Sequence, residues 1–191
     1  MRIGLISDTH IPSSGEAPPD EVIEAFRGVD LILHAGHAYT SQCIEWLERI
    51  APVKSAESWL QGISESPMRT NTLQVFDFEG HVVGMTHELI LKSLGDEVLP
   101  GAIERYYPKD ESIAKALETI FERPVDIVVF GYTHQAMIEE HDGVLLVNPG
   151  SPNLVRQELG LGTVAILELT PGTREATIID LATLATPAGA G

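Results

Sequence analysis

Short apolar runs recur along the chain, and five of them end in a polar turn. Run 2–7 leads to Asp8-Thr9-His10, run 31–33 to His34-Ala35-Gly36-His37, run 81–85 to Thr86-His87, run 127–130 to Gly131-Tyr132-Thr133-His134, and run 144–147 to Asn148-Pro149-Gly150-Ser151. Apolar runs of this length bounded by turns predict buried strands. Asp20 is placed to cap a helix over 21–27 with Val22, Ile23 and Phe26 inward, and Gly28 stops it. A second helix is predicted over 40–50, with Cys43, Ile44, Trp46 and Leu47 at helical spacing, and Pro52 opens a short strand at 53–56. Strand, helix and strand in this alternation imply parallel βαβ units.

The pattern then changes. Segments 72–79 and 81–86 flank Gly80 and predict an antiparallel hairpin. Residues 111–122 predict a helix capped by Ser112 and ended by Pro124, with Ile113, Ala116, Leu117, Ile120 and Phe121 on one face. A strand at 126–130, a hairpin over 136–147 turning at Asp142-Gly143, and strands at 163–169 and 173–181 complete the set. Segment 88–110, broken by Gly95, Pro100, Gly101 and Pro108, has no readable period. With Arg105, Tyr106 and Tyr107 it is expected to be an insert, either a lid or a contact in a homo-oligomer. The chain is read as one domain over 1–181 with a flexible Ala/Thr/Pro/Gly tail at 182–191.

Charge narrows the partners. With 12 Lys and Arg against 28 Asp and Glu, the net charge is −16. This argues against a nucleic acid polymer, whose phosphates need basic neutralisation, and against anionic membranes. A small phosphate-bearing molecule stays compatible, because a bound metal can supply local positive charge. The single cysteine, Cys43, excludes an internal disulfide and is expected to be a small buried side chain. No signal peptide or membrane span is read, so a cytoplasmic location is expected.

The strand endings carry the chemistry. Asp8 and His10, two residues apart, point to the same side, and carboxylate plus imidazole suits Zn, Mn, Fe, Ni or Co. The blocks that follow give the pair its context. Ile6-Ser7-Asp8-Thr9-His10, the run from Asp30 to Gly36, Gly131-Tyr132-Thr133-His134 and Asn148-Pro149-Gly150-Ser151 occur in an order that resembles the calcineurin-like metallophosphoesterases, in particular their small bacterial and archaeal phosphodiesterase branch. The resemblance runs from Met1 to about Leu169. It implies a four-layer α/β/β/α sandwich with two mixed sheets flanked by helices, a site at the strand ends, and hydrolysis of a phosphodiester or phosphomonoester by metal-activated water.

The departures from that pattern fall unevenly. His37 stands where the family has a metal-bridging Asp, Trp59 where it has an Asn ligand, and Tyr132 where it has the first His of Gly-His-Thr-His. The resemblance therefore assigns one intact divalent-metal position to Asp8, His10, His37 and His134. The second is depleted: His87 is the remaining good ligand, because an indole N–H cannot bind metal and a neutral imidazole has only one lone pair to offer. His87 and Tyr132 are the candidates to replace the missing ion as donors to the phosphoryl oxygens, and Glu57 or Glu88 can reach in as an extra ligand. The alternative is a catalytically inactive binding or scaffold module of the same fold. His34 is read as a packing residue beside the site, and His81 and His141 as solvent-facing. Asn148 to Ser151 are read either as a simple turn or as a brace for the metal loops, and Arg156 either as a phosphate partner or as a surface ion pair.

Overall fold

A computed structural model describes residues 1–57 and 72–185. Trp59, and the tail beyond residue 185, lie outside the described residues. The chain folds into two five-stranded mixed sheets and a small two-stranded arm. The first sheet has the order β12-β11-β1-β2-β3, from strands β1 (Arg2–Ile6), β2 (Leu31–His34), β3 (Val53–Ser55), β11 (Thr163–Thr170) and β12 (Thr173–Asp180). The second has the order β4-β5-β6-β8-β7, from β4 (Gln74–Phe78), β5 (His81–Met85), β6 (Ile127–Val129), β7 (Met137–His141) and β8 (Val144–Asn148). The arm pairs β9 (Leu154–Val155) with β10 (Glu158–Leu159).

Period-2 alternation decides which side chains meet. Ile3 and Leu5 of β1, Leu31 and Leu33 of β2, and Ala165 and Leu167 of β11 face Val83, Met85, Ile127, Val129, Leu145 and Val147 of the opposite sheet. That shared core lies between the sheets. The alternate residues Ile32, Val164 and Ile166 turn outward to helices α1 (Glu21–Ala25) and α2 (Ser41–Leu47) through Val22, Phe26, Cys43 and Leu47. On the other side, Val128 and Leu146 meet α4 (Ile113–Phe121) through Ile113, Leu117 and Phe121, and α3 (Ala102–Tyr106) through Ile103. The four layers are thus helix, sheet, sheet, helix, and the central strands β1, β2, β6 and β8 are buried on both faces, as near-continuous apolar parallel strands require, while the outer strands β12 and β7 expose alternate residues. No helix among the described residues is long and apolar enough to cross a membrane.

The βαβ and hairpin predictions agree with the observed pairing. β1-β2-β3 and β5-β6-β8 run parallel, while β4-β5 and β7-β8 are antiparallel hairpins. Ser112 caps α4 by accepting the Lys115 N–H. Three expectations are corrected. Asp20 makes no side-chain cap. Ile23 is 48 % exposed, and Ala25 takes its place inward because α1 is one short turn. His81 is buried rather than solvent-facing, with Nε2 shared between the Thr170 and Thr173 carbonyls at the β11–β12 turn. The unreadable segment contains α3 and a bridge between Ile90 and Glu97, and its Leu89, Leu91, Val98, Ile103 and Tyr107 pack into the outer core of the second sheet.

Candidate metal centre

Both parallel groups of strands end at the same edge of the sandwich. Asp8 and His10 follow β1, His37 follows β2, His87 follows β5, Tyr132 and His134 follow β6, and the Asn148–Ser151 turn follows β8. Backbone bonds tie the loops together: Asp8 N–H to Gly36 O at 2.9 Å, His10 N–H to His37 O at 3.1 Å, and Gly131 N–H to His87 O at 2.9 Å. Asp8 (φ 53°), His10 (54°), His37 (66°), Tyr39 (68°), Tyr132 (73°) and His134 (57°) all adopt left-handed backbone. Such conformations cost non-glycine residues roughly 1–3 kcal/mol each and gather at functional sites.

Asp8 is the hub. Its carboxylate is fully buried. One oxygen, Oδ2, accepts the Tyr132 backbone N–H at 2.9 Å. The other, Oδ1, faces three imidazoles: His37 Nδ1 at 3.2 Å, His134 Nε2 at 3.4 Å and His87 Nε2 at 3.8 Å. His10 Nε2 lies 3.1 Å from His134 Nε2. One ligand atom from each of Asp8, His10, His37 and His134 falls within 4.8 Å of all the others. The structure brings together the four residues expected at the first metal position, with His87 at the edge. Glu57 and Glu88 are not in the group.

The donor set fits a divalent ion. Tetrahedral bonds of about 2.0–2.1 Å place neighbouring ligand atoms about 3.3 Å apart; three of the separations here are 3.1, 3.2 and 3.4 Å, and all lie within 4.8 Å. His37 Nε2 is buried without a hydrogen bond among the described residues. Burial alone would raise the Asp8 carboxyl. Hydrogen bonds from His134 and His37 and the nearby imidazoles outweigh it, and hold the group below the usual carboxylate range. Burial, then the neighbouring His37 and His134, push His10 down to about 4, which leaves its ring neutral with a lone pair to offer. The hydrogen bond to Asp8 raises His134.

Two glycines make the approach possible. A Cβ at Gly131 would lie 2.7 Å from Asp8 Oδ2, and one at Gly36 would lie 2.7 Å from His87 Cβ. With its side chain against Gly36, His87 uses Nδ1–H to donate to the Ala35 carbonyl at 2.9 Å, so Nε2 is the nitrogen it turns toward Asp8. The Tyr132 side chain is 40 % exposed and stands edge-on to His87, with ring centroids 5.6 Å apart.

Around these residues lies a brace. Glu57, buried, accepts His37 N–H at 2.8 Å on one oxygen and Ala38 N–H at 2.9 Å on the other. It holds the His37 turn by its backbone instead of reaching in as a ligand. Asn148 Nδ2 donates to Gly131 O at 2.9 Å and Thr133 Oγ1 at 3.1 Å, Ser151 Oγ donates to Asp8 O at 2.8 Å, and Asn153 Nδ2 donates to Thr9 O at 2.8 Å. The Asn148–Ser151 turn therefore braces the ligand loops. His34 Nδ1 accepts the Gly36 N–H at 3.1 Å, which leaves Nε2–H to donate to Thr9 Oγ1 at 3.2 Å, and that hydroxyl also contacts Cys43 Sγ at 3.2 Å. Burial pushes His34 down to about 4 and the Cys43 thiol up to about 11, as suits a packed support. Tyr39, its ring 4.5 Å from that of His37 and 5.1 Å from that of His10, was not anticipated, nor were the bracing roles of Glu57 and Asn153. They carry no local motif, and only their spatial position reveals them.

Residues 1–172 match the sequence pattern of the calcineurin-like phosphoesterase superfamily domain. The chain belongs to that superfamily. It is 32% identical over 157 residues to a probable metallophosphoesterase of Methanothermobacter thermautotrophicus, covering 82% of this chain and 80% of that protein. A phosphodiesterase of Methanocaldococcus jannaschii is 24% identical over 186 residues, covering 88% and 93%. Among solved structures, Vps29 of Entamoeba histolytica in complex with zinc superposes with a TM-score of 0.62 at 18% identity, covering 95% of this chain and 99% of that one. An archaeal phosphodiesterase superposes with a TM-score of 0.59 at 22% identity, covering 94% and 100%. At these identities the two structures speak to the fold, the sandwich expected of this superfamily. The superfamily implies a divalent metal, and Asp8, His10, His37 and His134 are residues that could hold one.

Proposed function

We propose that this chain is a metal-dependent phosphoesterase that works on small-molecule phosphoesters with one divalent ion, held by Asp8, His10, His37 and His134. The observation that carries the reading is the convergence of those four ligand atoms within 4.8 Å on loops from both sheets. When bound, the ion polarises a phosphoryl oxygen and lowers the pKa of a coordinated water toward neutrality. The chain's own groups supply the rest. Asp8 keeps an anionic oxygen aimed at the cluster because its other oxygen is fixed by the Tyr132 N–H. His10 offers a neutral ring. His87 stands at the edge with Nε2 inward, either as a further ligand or, in its imidazolium form, as a donor to a non-bridging phosphoryl oxygen. The Tyr132 hydroxyl is a second hydrogen-bond donor to the same charge.

The test is hydrolysis of bis(p-nitrophenyl) phosphate with Mn, Ni, Zn and Co in turn, with His10→Ala as the control. Elemental analysis of the protein gives the metal count alongside. Metal-dependent turnover above the control, with about one ion per chain, supports the reading. No turnover above the control with any metal overturns it in favour of a binding module of the same fold.

A further inference from the structure

One member of the ligand cluster, His134, also lines a neighbouring cleft. Beside His134 opens a cavity of about 550 Å³ that reaches to the β9–β10 arm. Pockets of roughly 300–1,000 Å³ enclose whole small molecules, so this one is larger than a phosphoryl group needs. Its lining is selective. Among the described residues that line it, Arg156 and His134 are the only titratable side chains, and none is an Asp or Glu. In a chain with 28 acidic residues against 12 basic ones, that composition singles the cleft out.

The arm holds Arg156 in place. Arg156 and Gln157 form the two-residue turn between β9 and β10, both left-handed, with φ of 52° and 69°. Turns of this kind favour Asn and Gly, so two long side chains here mark a place where the side chains matter more than backbone ease. Gln157 lines the same cleft as His134. At its base the arm is closed by Gly160 N–H to Asn153 O at 3.0 Å, and Asn153 is itself bonded to the Thr9 carbonyl between Asp8 and His10. The arm and the ligand loop are therefore one braced unit. Arg2, Arg27, Arg123 and Arg174 each pair with a carboxylate, whereas Arg156, like Arg49 and Arg105, has no ion-pair partner among the described residues, and of these three only Arg156 lines the cleft.

We propose that this cleft receives the part of the substrate that is not hydrolysed, and that Arg156 recognises a second anionic group on it. The preferred substrates are then organic phosphoesters that carry a further carboxylate or phosphate, which a guanidinium can grip with two parallel hydrogen bonds. The proposal rests on the phosphoesterase reading above, but its test does not need turnover.

The full chain, supplied with Zn, is titrated calorimetrically with phosphonocarboxylates from phosphonoacetate to phosphonovalerate. Alkylphosphonates of matching length serve as uncharged-end controls, and the proteins are wild type, Arg156→Gln and Arg156→Lys. Arg156 is exposed, so both variants are expected to melt like wild type. The wild type should bind at least one phosphonocarboxylate about tenfold or more tightly than its alkyl partner, as a charge-assisted hydrogen bond provides. Arg156→Gln should lose that preference and Arg156→Lys should keep part of it. A wild type without the preference, or a Gln variant that retains it, overturns the proposal. Equal weakening of both probe classes in the Gln variant also overturns it, since Arg156 would then hold the transferred group. Absent turnover with the preference intact sinks only the enzymatic reading, and turnover without the preference sinks only this one.

Discussion

Gly131→Ala tests whether the Asp8 carboxylate is held as tightly as the geometry indicates. A Cβ there would sit 2.7 Å from Asp8 Oδ2, 2.8 Å from Ser7 Cβ and 2.9 Å from Ser7 Oγ, well inside the ordinary contact distance that begins at about 3.4 Å. Gly131 is not in left-handed backbone, so the penalty is steric and not conformational. Little can yield. Ser7 and Asp8 are fully buried, the Asp8 N–H is bonded to Gly36 O, and the Asp8 carbonyl accepts Ser151 Oγ. The softest coordinate is the carboxylate itself, which must rotate off the Tyr132 N–H and carry Oδ1 away from the imidazoles. Overpacking of this kind costs roughly 1–3 kcal/mol of stability. Displacing a support of a metal ligand lowers affinity roughly 10–100-fold. The assay is calorimetric titration with Zn or Mn, paired with urea unfolding in EDTA. Gly143→Ala is the control. It places a methyl in open space at φ 75° in the β7–β8 turn, and should cost backbone strain without touching metal affinity. A Gly131→Ala protein that binds metal within twofold of wild type would refute the reasoning.

Three further outcomes follow from the same structure. Glu57→Gln replaces one of two acceptor oxygens by an amide NH₂ facing a backbone N–H, and should cost about 2–4 kcal/mol, seen as a lower urea midpoint with unchanged slope. Zn at about 100 times its dissociation constant should stabilise by about 2.7 kcal/mol, raising the melting temperature by roughly 5–10 °C, and His10→Ala should abolish the shift. His34 is pushed down to about 4 in the folded state while its unfolded value stays near 6.5, so the unfolded chain takes up the proton first. The contribution of His34 to stability is then complete above pH 6.5 and is lost as pH falls toward and through 4, in total on the order of 3 kcal/mol. Denaturation in EDTA at pH 7.5, 5.5 and 4 checks it, with a shallower pH dependence expected of His34→Gln.

The sequence by itself determined the local parts and a candidate ligand set. Unbroken apolar runs such as 31–33 and 144–147 make strands that are buried on both faces, and Gly80 and Asp142-Gly143 make the hairpins, because these are short-range consequences of side-chain hydrophobicity and turn chemistry. The ordered blocks, through their resemblance to the superfamily, grouped Asp8, His10, His37 and His134, and the tertiary structure decided that β1 and β2 of one sheet and β6 of the other end at the same edge. What tertiary structure decided is everything that depends on distance through space. Ile23 looked inward by spacing but lost its place when α1 proved to be a single turn. His81 looked exposed beside a turn until β11 and β12 brought two carbonyls to it. Glu57 reads as an ordinary acid, but it grips the backbone of His37 twenty residues away. Arg156 could be read in the sequence either as a phosphate partner or as a surface ion pair, and only the arm that carries it to the cleft beside His134 favours the first. Local propensity sets the elements, but hydrogen bonds between distant segments set which side chains meet, and no pattern along the chain encodes those pairings directly.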